Sequence, residues 1–155
     1  VGRSGRGEHP GKAIIQTLTP ENEIIRLAAK QDYDAFYNTE IRMRRLMIYP
    51  PFCDICVVGF SGADEVKTRV ASQRTLDKIK ELTAGEYKSE KLIVLGPLPA
   101  RVPRVNKKYR YRLIIKCRNT KRFRSMISEI LKDFYGDSKF SDVSVYADMN
   151  PEITV

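Results

Sequence analysis

Apolar residues along this chain recur with two different periods, and the switches between those periods divide it. Ala13-Ile14-Ile15 and Gln16-Thr17-Leu18 read as one short buried strand. Thr19-Pro20 follows as an N-cap with proline at the first helical position. From Glu21 to about Ile48 the spacing is helical, carried by Ile24, Ile25, Leu27, Ala28, Tyr33, Phe36, Tyr37, Ile41 and Leu46. Gln31-Asp32 marks a break between two helices. Tyr49-Pro50-Pro51 ends the run, because a residue before proline avoids the α region. Residues 1–52 therefore form a head, and residues 53–155 a body.

The body opens on a β-rich stretch, Cys53 to Phe60, ended by the turn Ser61-Gly62-Ala63-Asp64. Glu65 to Thr83 is helical, with Val66, Val70, Leu76, Ile79 and Leu82 as the inward positions, and Ala84-Gly85 closes it. Lys91 to Leu98 is a second strand with prolines at its exit, and a loop leads on to a third, Tyr109 to Cys117. Asn119-Thr120 caps a helix over Lys121–Phe134, whose Phe123, Met126, Ile127, Ile130, Leu131 and Phe134 share a face. Val143 to Ala147 is the last strand. The order β-α-β-β-α-β folds most economically as an α+β, ferredoxin-like sandwich, with both helices on one face of an antiparallel sheet.

Strand alternation gives the third strand two faces. Tyr109, Tyr111, Leu113, Ile115 and Cys117 suit the helices and the core; Lys108, Arg110, Arg112, Ile114 and Lys116 fall on the open side. With its tyrosines turned inward, this strand points to phosphate contact in preference to base stacking.

Charge sharpens that expectation. The chain carries a formal +9, yet Arg101 to Arg124 holds eleven Lys and Arg residues and no Asp or Glu, so the remainder is mildly acidic. Cations at such density repel one another unless a polyanion is expected, and nucleic acid rewards them through counterion release. The bland alternative is a solvated basic face. The residues singled out for DNA are Arg101, Arg104, Lys107, Lys108, Arg110, Arg112 and Lys116.

Other chemistry is poorly supported. A phosphate loop, GxxxxGK[ST], would need Gly at position 6 and Ser or Thr at 13, where Arg6 and Ala13 stand. An acylphosphatase would need a phosphate-binding loop with an arginine after the first strand, and that turn carries Asp64 and Glu65 instead. Cys53 and Cys56 are spaced like a metal pair, but positions i and i+3 of a strand point to opposite faces; both read as small buried hydrophobes. His9 has no carboxylate or nucleophile at readable spacing. Three cysteines cannot all pair internally, which fits a reducing cytoplasm. No apolar run is long enough to cross a bilayer. The opening VGRSGRGEHPGK has no apolar centre of a secretory signal, and its first Val reads as the start of an excised fragment.

Taken in order, GRSGRG running into GEHPGKAIIQT, then DYDAFYNTEIRMRRLMIYPPF, LGPLPA, YRYRLIIK and a closing Val145-x-x-Asp148-x-Asn150-Pro151 resemble the C-terminal end of the primosomal protein N′ family of replication-restart DNA helicases. The resemblance implies that residues 1–52 end the second helicase lobe. It likens residues 53–155 to ribosomal protein S10. Gly2, Arg3, Gly5 and Arg6 would occupy helicase motif VI, the two arginines touching the ATP γ-phosphate; the family's Ala is Ser4 here, and its opening Gln is missing. ATP, Mg²⁺ and structural Zn²⁺ would be held upstream, leaving the fragment itself inactive as an enzyme and bound to no cofactor.

The resemblance further implies a parent that hydrolyses ATP, unwinds DNA 3′ to 5′, recognises abandoned forks and starts primosome assembly in the bacterial cytoplasm, at the nucleoid. Implied partners are branched DNA, single-stranded DNA-binding protein, primosome proteins and the replicative helicase loader. The acidic tail of single-stranded DNA-binding protein would meet Lys121, Arg122 and Arg124 at the start of the second body helix, where the helix dipole favours anions. Two rivals to DNA-backbone binding follow: a docking module for such tails, and an RNA-binding ferredoxin-like module.

Overall fold

Hydrogen-bonded pairing decides which of the apolar runs become strands. The computed structural model describes residues 13–152 and divides into two compact units, one ending at Met43 and one beginning at Arg44.

The first unit holds α1, Glu23–Lys30, and most of α2, Tyr33–Leu46, whose last three residues count with the second. Asn22 caps α1 by accepting the Ile24 N–H at 2.9 Å, a role the sequence had assigned to Thr19. Gln31 turns left-handed (φ 55°) and returns its N–H to Ala28 and Leu27, producing the break expected at Gln31-Asp32. Asp32 then caps α2 through the Ala35 N–H. The strand expected over 13–18 does not form: Ile14 and Leu18 are almost fully exposed. A strand exists only by pairing, and no described residue pairs with this segment.

The second unit is the ferredoxin-like sandwich. Its elements are β1 (Asp54–Gly62), α3 (Glu65–Ala84), β2 (Ile93–Val105), β3 (Lys108–Cys117), α4 (Lys121–Gly136) and β4 (Ser144–Met149). The sheet runs β2-β3-β1-β4 with every neighbour antiparallel. Val58 opposes Leu113 and Cys56 opposes Ile115, so these residues share a face with Phe60 and meet Phe123, Met126 and Ile130 of α4 in one core. Burying side chains of this size contributes about 1.5–3 kcal/mol each.

Helix α3 packs differently from expectation. Leu76, Ile79 and Leu82 are buried, but Val66 and Val70 are exposed; Thr68, Ala71, Ser72 and Thr75 go inward instead. Small side chains let the helix approach the sheet closely. Their hydroxyls are satisfied within the helix, Thr75 donating to Ala71 O at 3.1 Å and Ser72 to Arg69 O at 2.7 Å. Gly62 completes this fit, since a Cβ there would lie 2.5 Å from the Thr68 hydroxyl. Asp64 caps α3 by accepting the Lys67 N–H at 2.7 Å, and Thr120 caps α4 through Phe123 N–H.

The segment between the second and third strands is the largest departure. No loop separates them. β2 continues through three prolines to Val105 and pairs back onto β3 across the two-residue turn Asn106-Lys107. Both turn residues have positive φ (49° and 62°), as a type I′ hairpin requires. Prolines are tolerated because β2 is an edge strand and its register shifts twice, between Leu95 and Leu98 and between Pro99 and Arg104.

Candidate nucleic-acid interface

Extending β2 and β3 into a hairpin arm converts a run of charge into a shaped surface. Arg104 pairs with Tyr109 and Val105 with Lys108, so Arg104, Lys107 and Lys108 stand together at the arm's end, all exposed. The Arg104 guanidinium lies 4.9 Å from the Tyr109 ring centroid, which holds it while leaving its edge outward. Arg101 sits in the bulge of β2, also exposed.

Behind the arm, Arg110 and Arg112 are half-buried on the sheet face away from the helices. The opposite parity behaves as alternation requires. Leu113, Ile115 and Cys117 are buried in the core, and Tyr111 packs against it while donating its hydroxyl to Glu65 at 3.2 Å. Burial first, and the Glu65 carboxylate second, hold the Tyr111 phenol above its ordinary value, so it stays a neutral donor.

Lys116 must be removed from the polyanion-facing row. Its side chain is on the open side by parity, yet only 8% of it is exposed, because the segment following α2 crosses this end of the sheet. Its Nζ donates to Met47 O at 2.6 Å and lies 3.9 Å from the Tyr49 ring centroid. That ammonium is committed to joining the Tyr49-Pro50-Pro51 segment to the sheet.

The start of α4 is mixed. Lys121 is exposed; Arg122 stacks on Tyr87 at 5.2 Å and donates to Glu86 O; Arg124 donates to the Asn119 side chain at 2.8 Å. Arg124 also borders a feature that the sequence does not announce, a groove of about 680 Å³ between α4 and the edge strand β4. Phe123, Ile127, Leu131 and Tyr135 line it at four-residue spacing, with Met149 opposite and Lys132 at its side. Phe123, Ile127 and Leu131 belong to the helical stripe visible in the sequence, but Tyr135 does not, and only the placement of β4 makes a groove of them.

A second missed residue is Tyr146. Val145 on β4 opposes Phe60 and is buried, so Tyr146 opposes Gly59 on the open face and is 48% exposed. The alternation of Val143, Val145 and Ala147 was the signal that could have found it. The open face therefore carries an aromatic ring on β4, although the tyrosines of β3 turn away.

Among the described residues no group of three or more His, Cys, Asp or Glu side chains is placed to hold a metal ion. Burial pushes the Cys56 and Cys117 thiols up to about 12, which keeps them protonated, and Cys53 donates its thiol to Ile48 O. Gly2, Arg3, Gly5 and Arg6, the nucleotide-contacting set that the family resemblance implies, lie outside the described residues. Among those that are described, no helix is long and apolar enough to cross a membrane.

Comparison with known proteins supplies the family. Residues 45–152 match the family described as Primosomal protein N C-terminal domain. The replication restart protein PriA of Bacillus subtilis is 31% identical over 150 residues, covering 97% of this chain and 18% of that protein. PriA of Thermotoga maritima is 34% identical over 132 residues (85% and 16%), and PriA of Chlamydia muridarum 31% identical over 155 (99% and 19%). The chain thus spans less than a fifth of the length of these relatives. With the whole sandwich inside the matched region, the chain belongs to the primosomal protein N C-terminal domain family.

Proposed function

We propose that this chain grips the sugar-phosphate backbone of branched DNA, as the C-terminal part of a helicase that restarts replication at abandoned forks. The observation that carries the reading is the arm: four cations, Arg101, Arg104, Lys107 and Lys108, exposed together on the β2 bulge and the β2–β3 turn at one end of the sheet. Cations clustered there meet phosphates without reading sequence. The names of the PriA relatives support the replication-restart setting. ATP hydrolysis, 3′-to-5′ unwinding and primosome assembly belong, in this reading, to the longer protein. ATP, Mg²⁺ and zinc are its cofactors, and the bacterial cytoplasm its location. Gly2, Arg3, Gly5 and Arg6 would then serve its nucleotide site.

Fluorescence anisotropy with a forked DNA, a blunt duplex and a single strand across a salt series tests this. The fork binds best, and replacing Arg101, Arg104, Lys107 and Lys108 by Ala lowers the log–log salt slope by about 0.9 for each phosphate no longer neutralised. Marginal binding of all three DNAs at low salt would overturn the reading.

The α4–β4 groove favours a second role beside the first. Its apolar floor, with Arg124 and Lys132 at its sides, suits a peptide with an apolar end and acidic residues, the chemistry of the tail of single-stranded DNA-binding protein. An acidic-tail peptide that binds without displacing duplex DNA, and no longer binds Arg124→Glu, separates this surface from the arm.

A further inference from the structure

The open sheet face does more than continue the arm's charge. Across its four strands one row is fixed by pairing: Leu98 on β2, Arg112 on β3, Gly59 on β1 and Tyr146 on β4. At the usual strand spacing, Arg112 and Tyr146 stand about 10 Å apart with only Gly59 between them. Gly59 is what lets the row lie flat. A Cβ at that position would meet Tyr146 Cζ at 2.3 Å, so the ring rests on bare backbone and presents its other face outward. Arg110 lies one row closer to the arm, opposite Ser61.

A cavity of about 440 Å³ joins these parts. Val57 forms its floor, Arg110 and Arg112 one wall, Tyr146 the other, and Arg101 reaches it from the bulge of β2. Among the described residues lining it, Asp148, on the same face of β4 as Tyr146, is the acidic one. The volume falls in the ordinary range for a small-molecule site, roughly 300–1,000 Å³.

We propose that this cavity receives one unpaired nucleotide of a DNA strand, its base stacked on Tyr146 and its phosphate between Arg110 and Arg112. An exposed ring on a glycine floor offers a π-face to any base, and neighbouring guanidinia supply the backbone charge; together these are the two parts of a single-strand site. The base must be unpaired, since in a duplex both faces of each base are already covered by its neighbours. Asp148 favours a base over the side chains of an acidic peptide: it repels a carboxylate brought beside it but accepts a hydrogen bond from an N–H on a base edge, the thymine imide included. The inference rests on the backbone reading above, because the arm would deliver the strand to this cavity. It adds that the surface separates single-stranded from duplex DNA.

The test uses the full chain with a labelled oligo-dT and a blunt duplex at one salt concentration. Tyr146→Leu keeps an apolar cover over Gly59 and removes the π-face; Tyr146→Phe keeps both. Tyr146→Leu weakens oligo-dT by about tenfold or more and leaves the duplex unchanged, while Tyr146→Phe binds both as the parent does. Photocrosslinking of an oligonucleotide carrying 5-iodouracil, mapped by mass spectrometry, marks Tyr146. Equal weakening of both DNAs, no weakening of either, or a crosslink confined to the arm overturns the inference. Duplex binding that depends on Lys107 and Lys108, beside oligo-dT binding indifferent to Tyr146, sinks the inference alone. A parent chain that binds neither DNA sinks the backbone reading as well. Loss of an acidic peptide, and not of oligo-dT, in Tyr146→Leu would make this a peptide surface.

Discussion

Replacing Lys116 by Met separates a structural cation from a DNA-binding one. The stem of Lys116 is buried, and Met fills nearly the same volume with the same flexibility, so the apolar contacts survive. What disappears is the ammonium. Its hydrogen bond to Met47 O, at 2.6 Å, is charge-assisted and worth about 1.5–3 kcal/mol. The contact with the Tyr49 ring at 3.9 Å adds about 0.5–2 kcal/mol. Relief from burying a charge offsets part of that sum, so the net destabilisation is about 2 kcal/mol. Urea titration reads it as a fall in midpoint of about 1 M for a slope near 2 kcal/mol per M. Thermal melting reads it as a loss of about 4–8 °C.

The same variant is measured against duplex DNA across a salt series. Had Lys116 met a phosphate, its removal would lower the slope by about 0.9. The expected change is none, because the ammonium faces Met47 and Tyr49 and not the solvent. A stable Lys116→Met protein with a slope smaller by that amount would refute the assignment and return Lys116 to the open row.

Three further outcomes follow from local geometry. Gly59→Ala puts a methyl where the outer end of the half-exposed Tyr146 ring lies, so the ring must swing aside; urea denaturation should shift by less than about 1 kcal/mol while oligo-dT binding weakens. Lys107→Gly relieves a left-handed residue at φ 62°, for a net gain of about 0.5–1 kcal/mol, and lowers the duplex salt slope by about 0.9. The Asp54 carboxyl is held below its ordinary value, first by the Asn150 side chain and second by the Asn119 N–H. A depressed folded value means stability that is present above the unfolded value near 3.9 and lost as pH falls through the folded one. The stability gap between the parent and Asp54→Ala, measured by urea titration, should therefore be wide at neutral pH and narrow in acid.

The sandwich was legible because its signals are local. Alternation in Leu113, Ile115 and Cys117, a stripe in Phe123, Met126, Ile127, Ile130 and Phe134, and caps at Asp64 and Thr120 each announce an element without help from the rest. Local reading broke down wherever a distant partner decided. Ala13–Leu18 has strand composition and no described strand to pair with. Pro97, Pro99 and Pro103 look like a loop until β3 is known to lie alongside and β2 to be an edge. Val66 and Val70 lost their inward places to Thr68 and Ser72 because the sheet favours small side chains at that depth. On the candidate interface, parity assigned Arg110 and Arg112 to their face from β3 alone. It could not show that the segment after α2 covers Lys116, nor that Gly59 leaves room for Tyr146.

These corrections concern opposite ends of one face, and β3 relates them. Its odd residues are locked in the core, and that burial fixes the register against β1, since a slip by one residue would turn Leu113 and Ile115 outward. With the register fixed, the even residues have no freedom of address. Lys116 must fall opposite Ile55, under the Tyr49 segment, and Arg112 must fall opposite Gly59, level with Tyr146. The hydrophobic core therefore determines which cations fall under the Tyr49 segment and which fall level with Tyr146 on the open face. Charge counting cannot make that division, because Lys116 and Arg112 contribute equally to the chain's +9. Only the pairing of β3 with its neighbours distinguishes them, which is why the proposed interface takes in the arm and the row behind it and leaves out Lys116.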